Sequence, residues 1–188
     1  IGQKIISTHS PYIAASAELK EIRNFYSKKT GVSSGRIGMD GVGPEDIRKT
    51  KRQVTNTRGE IFFSKAIVFF EGETEEQVLP IFANHYFGEK SFEMGIDFIG
   101  VGGCGNYLPF IRLAQDLNIP WFIFSDGEER TTKTLTNILK KLYDRDVDIT
   151  KEVNILAVDN GYNFERYLIE NDYIDEIVKA IQALHSDT

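Results

Sequence analysis

Four glutamates, Glu71, Glu73, Glu75 and Glu76, fall within six positions of the segment VFFEGETEEQVLP, directly after an apolar run. Part of this has an ordinary explanation. Thr74 followed three residues later by Gln77 reads as a capping box, and acids in a first helical turn complement the helix dipole, which covers Glu75 and Glu76. Glu71 is different, because it stands at a strand end before Gly72. A carboxylate there is half desolvated, and like-charged neighbours raise its pKa and cost stability unless a cation is present. The segment SDGEE repeats the arrangement, with Asp126, Gly127 and Glu128 following a second hydrophobic run. Asp and Gly are common turn residues, so either segment alone is a weak signal. Together they place oxygen-only donors where a divalent ion could be held, a chemistry suited to Mg²⁺ or Mn²⁺ rather than zinc.

Two further segments could bind phosphate. In GVGGCGNY, glycines let backbone amides approach an anion ahead of a helix N-terminus, making Gly103, Gly105 and Asn106 candidate phosphate-binding residues. The loop lacks the Lys-Ser/Thr ending of a Walker A sequence, and a tight strand-to-helix turn also needs glycine. Cys104 within it reads as a small filler, since no histidine or base is near it in sequence. His9, in ISTHSPYIA, stands just past an apolar run, where composition alone says only that the chain turns.

The elements that must position these groups follow from hydrophobic patterning. From Lys65 onward, short apolar strands alternate with amphipathic helices: AIVFF, helix 75–87, IDFIGV, helix 106–117, PWFIFS, helix 129–143, VNILAV, then helices near 163–170 and 172–185. This order predicts an α/β fold, an open doubly wound, mainly parallel sheet covered on both faces. In such sheets ligands bind beyond the carboxyl ends of the strands, where the acidic and glycine-rich segments recur. Upstream, Lys4–Ile6 is expected as a strand, followed by a short helical run after Pro11. A hairpin is expected from RNFYSKK and SGRIGMDG, with TGVSSG as its turn, and residues 38–60 as a basic connector holding a short helix from Pro44 to Lys51. A chain opening in mid-element reads as the tail of something longer.

Composition narrows the classes. The 188 residues are 41% hydrophobic and 12% aromatic, enough for one ordinary domain or one domain plus a fragment of another. No apolar run approaches the roughly 20 residues of a membrane span, and no signal peptide is visible, so a cytoplasmic, membrane-free protein is expected. A single cysteine excludes an internal disulfide and a Cys-based zinc cluster. The net charge of −6 divides unevenly, +5 over residues 1–60 and −11 over residues 61–188. Acidic surface is not the footprint of a passive nucleic-acid binder. It is compatible with action on nucleic acid through metal ions held by carboxylates.

Taken together, these segments resemble the OLD (overcoming lysogenization defect) family of ATP-dependent endonucleases. IISTHSPYIAA resembles the switch-histidine segment closing an ABC-type ATPase domain, FFSKAIVFFEGETEEQVLP the opening of the family's Toprim domain, and SDGEE its acidic Asp-x-Asp element. The resemblance implies residues 1–60 as the terminal elements of an ABC-type ATPase domain and 61–188 as a Rossmann-like Toprim nuclease domain. It makes His9 an ATP-sensing residue, Glu71 and Asp126 catalytic, and Glu71, Glu75, Asp126 and Glu128 ligands of two Mg²⁺ or Mn²⁺ ions. NFERYL resembles a segment supplying another acid, so Glu165 is either a further ligand or a solvated helix residue.

The implied activity is metal-dependent hydrolysis of DNA phosphodiesters, gated by ATP in the full-length protein. Homo-oligomerisation through the ATPase part and a role in anti-phage defence, with a possible partner protein, are implied as well. The sequence departs from the family where Glu128 replaces a second Asp and Cys104 replaces a frequent Lys, and the lysine that related nucleases use to stabilise the transition state has no clear counterpart, Lys179 being a poor match. Those departures motivate an alternative, a catalytically weak Toprim serving as a regulatory or scaffold module in a defence complex.

Overall fold

The computed structural model describes residues 2–38, 43–56 and 59–186, and the fold is α/β with a four-strand parallel sheet. The sheet is built from β3 (Ala66–Phe70), β4 (Ile96–Gly100), β5 (Trp121–Ser125) and β6 (Ile155–Ala157), in the spatial order β4-β3-β5-β6. Phe70 pairs with Gly100, Phe69 with Ile123 and Ser125 with Ala157, so all four strands end at one edge. The chain moves from β3 outward to β4, then returns across β3 to β5. That reversal makes the crevice between the ends of β3 and β5 the topological switch point, where open α/β sheets bind ligands.

Helices α3 (Glu73–Phe87), α4 (Tyr107–Asp116) and α5 (Glu129–Tyr143) connect the strands, and α6 (Phe164–Glu170) and α7 (Ile174–Ser186) follow β6. Alternation along β5 divides the two faces. Trp121, Ile123 and Ser125 are buried, while Phe122 is 45% exposed and Phe124 meets Phe164 of α6 edge-on at 5.2 Å. The buried side forms the main core with Tyr107, Ile111 and Leu113 of α4 and Leu135 and Leu139 of α5. Full burial of each such side chain contributes about 1.5–3 kcal/mol. The opposite side is covered more thinly than expected: Leu156 of β6 is 64% exposed, as are Ile81 and Phe82 of α3 in good part.

Upstream, β1 (Arg23–Lys28) and β2 (Gly31–Arg36) form the expected antiparallel hairpin. Its turn is Lys29–Thr30, and the glycine-serine stretch assigned to the turn lies within β2. Lys28 pairs with Gly31, and the positive φ of +133° falls on Gly31, where glycine tolerates it, rather than on the two turn residues. The hairpin docks on the sheet domain: Asn24 Nδ2 donates to the Leu117 carbonyl at 3.0 Å, and the Gly38 N–H to Asp116 Oδ2 at 2.8 Å. Leu19 and Ile37 enter the same core as the sheet.

The expected strand Lys4–Ile6 does not form. Residues 2–10 have no regular structure, Ile5 and Ile6 are 89% and 71% exposed, and no described strand lies alongside to take their hydrogen bonds. The short helix after it is α1 (Pro11–Ser16), with Pro11 at a first-turn position that needs no N–H. Helix α2 runs Pro44–Asn56, longer than its expected end at Lys51. It packs on α4, where Arg112 pairs with Asp46 at 3.7 Å.

Candidate active site

Glu71 follows the last residue of β3, and its Oε1 accepts hydrogen bonds from Ser125 Oγ at 3.0 Å and Tyr107 Oη at 3.2 Å. Ser125 closes β5 and Tyr107 opens α4, both essentially inaccessible to solvent. Burial pushes the Glu71 carboxyl above its ordinary range; the two hydroxyls oppose that, while the charges of Asp126 and Glu75 add to it. The Tyr107 phenol is raised far above its ordinary value, first by burial and then by Glu71, so it stays protonated and serves as a fixed donor.

Glu75 lies in the first turn of α3 and is 5% exposed, the only charged side chain so deeply buried among the described residues. Its position shares a helix face with Val78, Leu79 and Phe82, which turns the carboxylate inward while Glu73 and Glu76 face water. Burial raises its carboxyl, the N–H groups of its own backbone and Gly72 pull the other way, and Asp126 and Glu165 raise it further. A Cβ on Gly72 would stand 2.7 Å from Glu75 Oε2, so the glycine makes room for the carboxylate.

Asp126 follows β5, next to the end of β3. Its Oδ1 accepts from the Phe164 N–H at 3.0 Å, and burial raises its carboxyl, with Glu128 and Glu165 contributing. Gly127 keeps this segment close to the β6 side: its N–H donates to the Tyr162 carbonyl at 2.9 Å, and a Cβ there would overlap the carbonyl of Val158. Glu128 is exposed at the N-terminal boundary of α5. Glu165, also exposed, accepts from Thr74 Oγ1 at 2.7 Å, which ties α6 to the start of α3.

That last bond corrects the capping box. Helix α3 starts at Glu73 with Gly72 at its boundary and no side-chain cap, so Thr74 is already inside the first turn and its hydroxyl turns to Glu165. Five predicted acids, Glu71, Glu75, Asp126, Glu128 and Glu165, are thereby linked by contact or field at the switch point. None of them enters an ion pair among the described residues.

The glycine loop after β4 lies alongside, with the Val101 N–H donating to the Phe70 carbonyl at 2.8 Å. Gly103 has φ +113°, and Cys104–Asn106 form a short 3₁₀ turn. Asn106 Nδ2 donates to the carbonyls of Val101 and Gly102, so its side-chain amide shapes the loop. Gly105 is exposed, and Cys104 packs against the core as a filler. His9 is exposed ahead of α1 and makes no hydrogen bond or ion pair with the acidic centre.

Sequence reasoning missed Ser125 and Tyr107. A polar residue ending a buried strand immediately before Asp126 was a usable signal for Ser125. For Tyr107 there was none, since an aromatic at a helix start reads as core.

All five donors are carboxylate oxygens, which fits a hard divalent cation. Among the described residues, no three acidic, imidazole or thiol groups converge into a closed ligand set. Mg²⁺ does not need one, because it keeps several waters and takes one or two carboxylates together with substrate phosphates.

An open parallel sheet with carboxylates at its switch point, its first strand running into Glu-Gly-x-Thr-Glu, has the form of a Toprim-type α/β domain. Residues 62–127 match the family model described as overcoming lysogenization defect protein-like, TOPRIM domain, so this part of the chain is similar to the Toprim domain of OLD proteins. The C-terminal region of the Xanthomonas campestris pv. campestris OLD protein is similar at 25% identity and TM-score 0.53, over 66% of this chain and 64% of that one. The C-terminal region of the Burkholderia pseudomallei OLD protein shares the fold at 22% identity and TM-score 0.54, over 64% and 66% of the two chains.

The uncharacterized protein YbjD of Escherichia coli (strain K12) is 24% identical over 153 residues, which cover 80% of this chain and 27% of that protein. This chain thus spans about a quarter of the curated relative and just under two thirds of the solved ones. The domain class points to nuclease-type chemistry. Among the described residues no helix is long and apolar enough to cross a membrane.

Proposed function

We propose that residues 61–188 are a metal-dependent nuclease domain that hydrolyses DNA phosphodiesters. The observation that carries this reading is the buried Glu75 beside Glu71 and Asp126 at adjacent strand ends, three carboxylates raised by burial and repulsion with no cationic side chain paired to them among the described residues. Mg²⁺ or Mn²⁺, one or two ions, would be held by Glu71, Glu75 and Asp126, with Glu128 and Glu165 at the margin. When bound, such ions lower the pKa of water to give a nucleophile and neutralise charge on the leaving oxygen.

The chain's own residues do the positioning. Ser125 and Tyr107 fix one oxygen of Glu71 and leave the other for a ligand, and the Phe164 N–H does the same for Asp126. Thr74 holds Glu165 against the start of α3. Without cations this centre would repel a polyanion, so activity and DNA approach share one requirement.

The reading extends to the longer protein. Residues 1–60 are the terminal elements of an ATPase domain, His9 senses bound ATP, and dimerisation through that part gates a nuclease used in defence against phage. The test is cleavage of supercoiled plasmid by the full-length protein with Mg²⁺ or Mn²⁺, beside the Glu71→Ala variant. Cutting that depends on Glu71 supports the assignment; cutting that survives the substitution sinks it. Absence of cutting with either metal favours the regulatory or scaffold module.

A further inference from the structure

A cleft of about 200 Å³ opens beside the acidic centre, lined by Lys49 and Arg52 of α2 and by Gly100, Gly102, Asn106 and Phe110 around the glycine loop. We propose that it binds a phosphodiester of the nucleic-acid strand next to the one held at Glu71. The inference rests on the nuclease reading for its substrate and adds the group that receives the flanking backbone.

The cations around α2 are not equivalent. Arg48 pairs with Glu45 at 2.9 Å, Lys51 with Glu18 at 2.6 Å, and Arg112 with Asp46 at 3.7 Å. Lys49 and Arg52 enter no ion pair among the described residues, and Glu45 is the acid that feels both. They are three residues apart on one helix, and side chains at that spacing share a face. The contact of α2 with α4 turns that face to the loop.

The loop supplies the rest of the recess. Gly102 is exposed with φ +69°, and nothing lies within 4 Å of where its Cβ would be, so its peptide edge is open. No hydrogen bond occupies the N–H of Gly102 or Gly103 among the described residues. Gly102 lines the cleft together with a guanidinium and an ammonium, a set that suits a tetrahedral oxyanion, Arg by its planar fork and Lys as a point charge.

Location gives the recess its purpose. Gly100 pairs with Phe70, one residue before Glu71, so the cleft begins one strand spacing, about 5 Å, from the strand that carries the acid. Cys104 brings no charge to this loop, and α2 provides it from another part of the chain.

The experiment measures binding of a fluorescein-labelled single-stranded oligonucleotide to the full chain without divalent ions, across a salt series. Neutralising Lys49 and Arg52 to Gln should weaken binding and reduce the slope of log K against log salt by about 1 to 2, one for each phosphate-contacting cation. Lys49→Arg with Arg52→Lys should keep most of the slope, which separates charge from fold. Glu71→Ala should leave the slope loss intact, so a failed nuclease assignment leaves this test readable. An unchanged slope in the Gln variant, with an unchanged melting temperature, overturns the proposal. So does equal competition by inorganic phosphate or ATP at matched phosphate concentration, which would make the cleft a site for free phosphate.

Discussion

Glu75→Gln should invert the stability order of the protein depending on whether a divalent ion is present. The carboxylate is 5% exposed and faces the charges of Asp126 and Glu165. Gln has nearly the same shape and its carbonyl can still face the N–H of Gly72. Neutralising a carboxylate that burial and two like charges oppose removes an unfavourable interaction, which we take as about 1 kcal/mol because the site is open at its rim. In a chain of this size 1 kcal/mol corresponds to about 2–4 °C in Tm. The metal-free variant should therefore melt about 2–4 °C above the parent at pH 7. An ion that binds only the folded state adds about 2.7 kcal/mol at a concentration a hundred times its Kd, or roughly 5–11 °C for the parent. The variant should gain much less under the same conditions, so the order reverses. Differential scanning fluorimetry with EDTA, Mg²⁺ and Mn²⁺ reads both halves. A variant less stable than the parent in EDTA, or an equal ion-induced shift in both proteins, refutes the idea that Glu75 is an uncompensated charge awaiting a cation.

Three further outcomes are expected. Metal-free stability should fall as pH rises from the ordinary carboxylate values of 3.8 and 4.5 toward the raised folded values of Asp126, Glu71 and Glu75, because the folded state then holds more protons than the unfolded one; urea melts across pH 4–8 would show it, and Mg²⁺ should flatten the slope. Tyr107→Phe and Ser125→Ala each remove one donor to Glu71, costing about 1–1.5 kcal/mol by denaturant titration and raising the pH at which the ion-induced Tm shift appears. Gly127→Ala should destabilise by at least about 4 kcal/mol, since its Cβ meets the fixed Val158 carbonyl; soluble expression and a near-parental Tm would contradict the close approach drawn for that turn.

The sheet and its helices were legible because short continuous apolar runs separated by amphipathic stretches admit few other architectures, and each strand after Lys65 lies within two residues of its expected bounds. The acidic ends were legible for the same reason: once the strands are placed, Glu71 and Asp126 must share an edge. What sequence periodicity cannot carry is strand order. β3 and β5 are neighbours, with β4 outside, and it is this order that brings Ser125 beneath Glu71. Local signals also misled where a longer-range partner competed. Thr74 and Gln77 fit a capping box, yet the hydroxyl finds Glu165, 91 positions away. Lys4–Ile6 has the composition of a strand, but a strand needs a neighbour, and none is provided by the described residues.

The charge asymmetry between the two ends of the sequence acquires a spatial meaning from these contacts. A basic first third and an acidic remainder look like separate functions until α2 is seen packed on α4, the helix that opens with Tyr107. One element therefore links the cationic cleft to the carboxylate centre: α4 begins under Glu71 and carries α2 along its length through Arg112 and Asp46. Under the proposed nuclease reading, a polyanionic strand laid across the sheet edge would meet carboxylates that tolerate it only with divalent ions and, alongside, cations that attract it without them. Binding and cutting then answer to different conditions. Lowering salt should strengthen DNA binding in EDTA while leaving the DNA intact, and adding Mn²⁺ should start cleavage with little change in the salt slope contributed by Lys49 and Arg52. Gel-shift and nicking assays on the same samples would separate the two, and a salt slope that collapses in Glu71→Ala would show that the two sites are one.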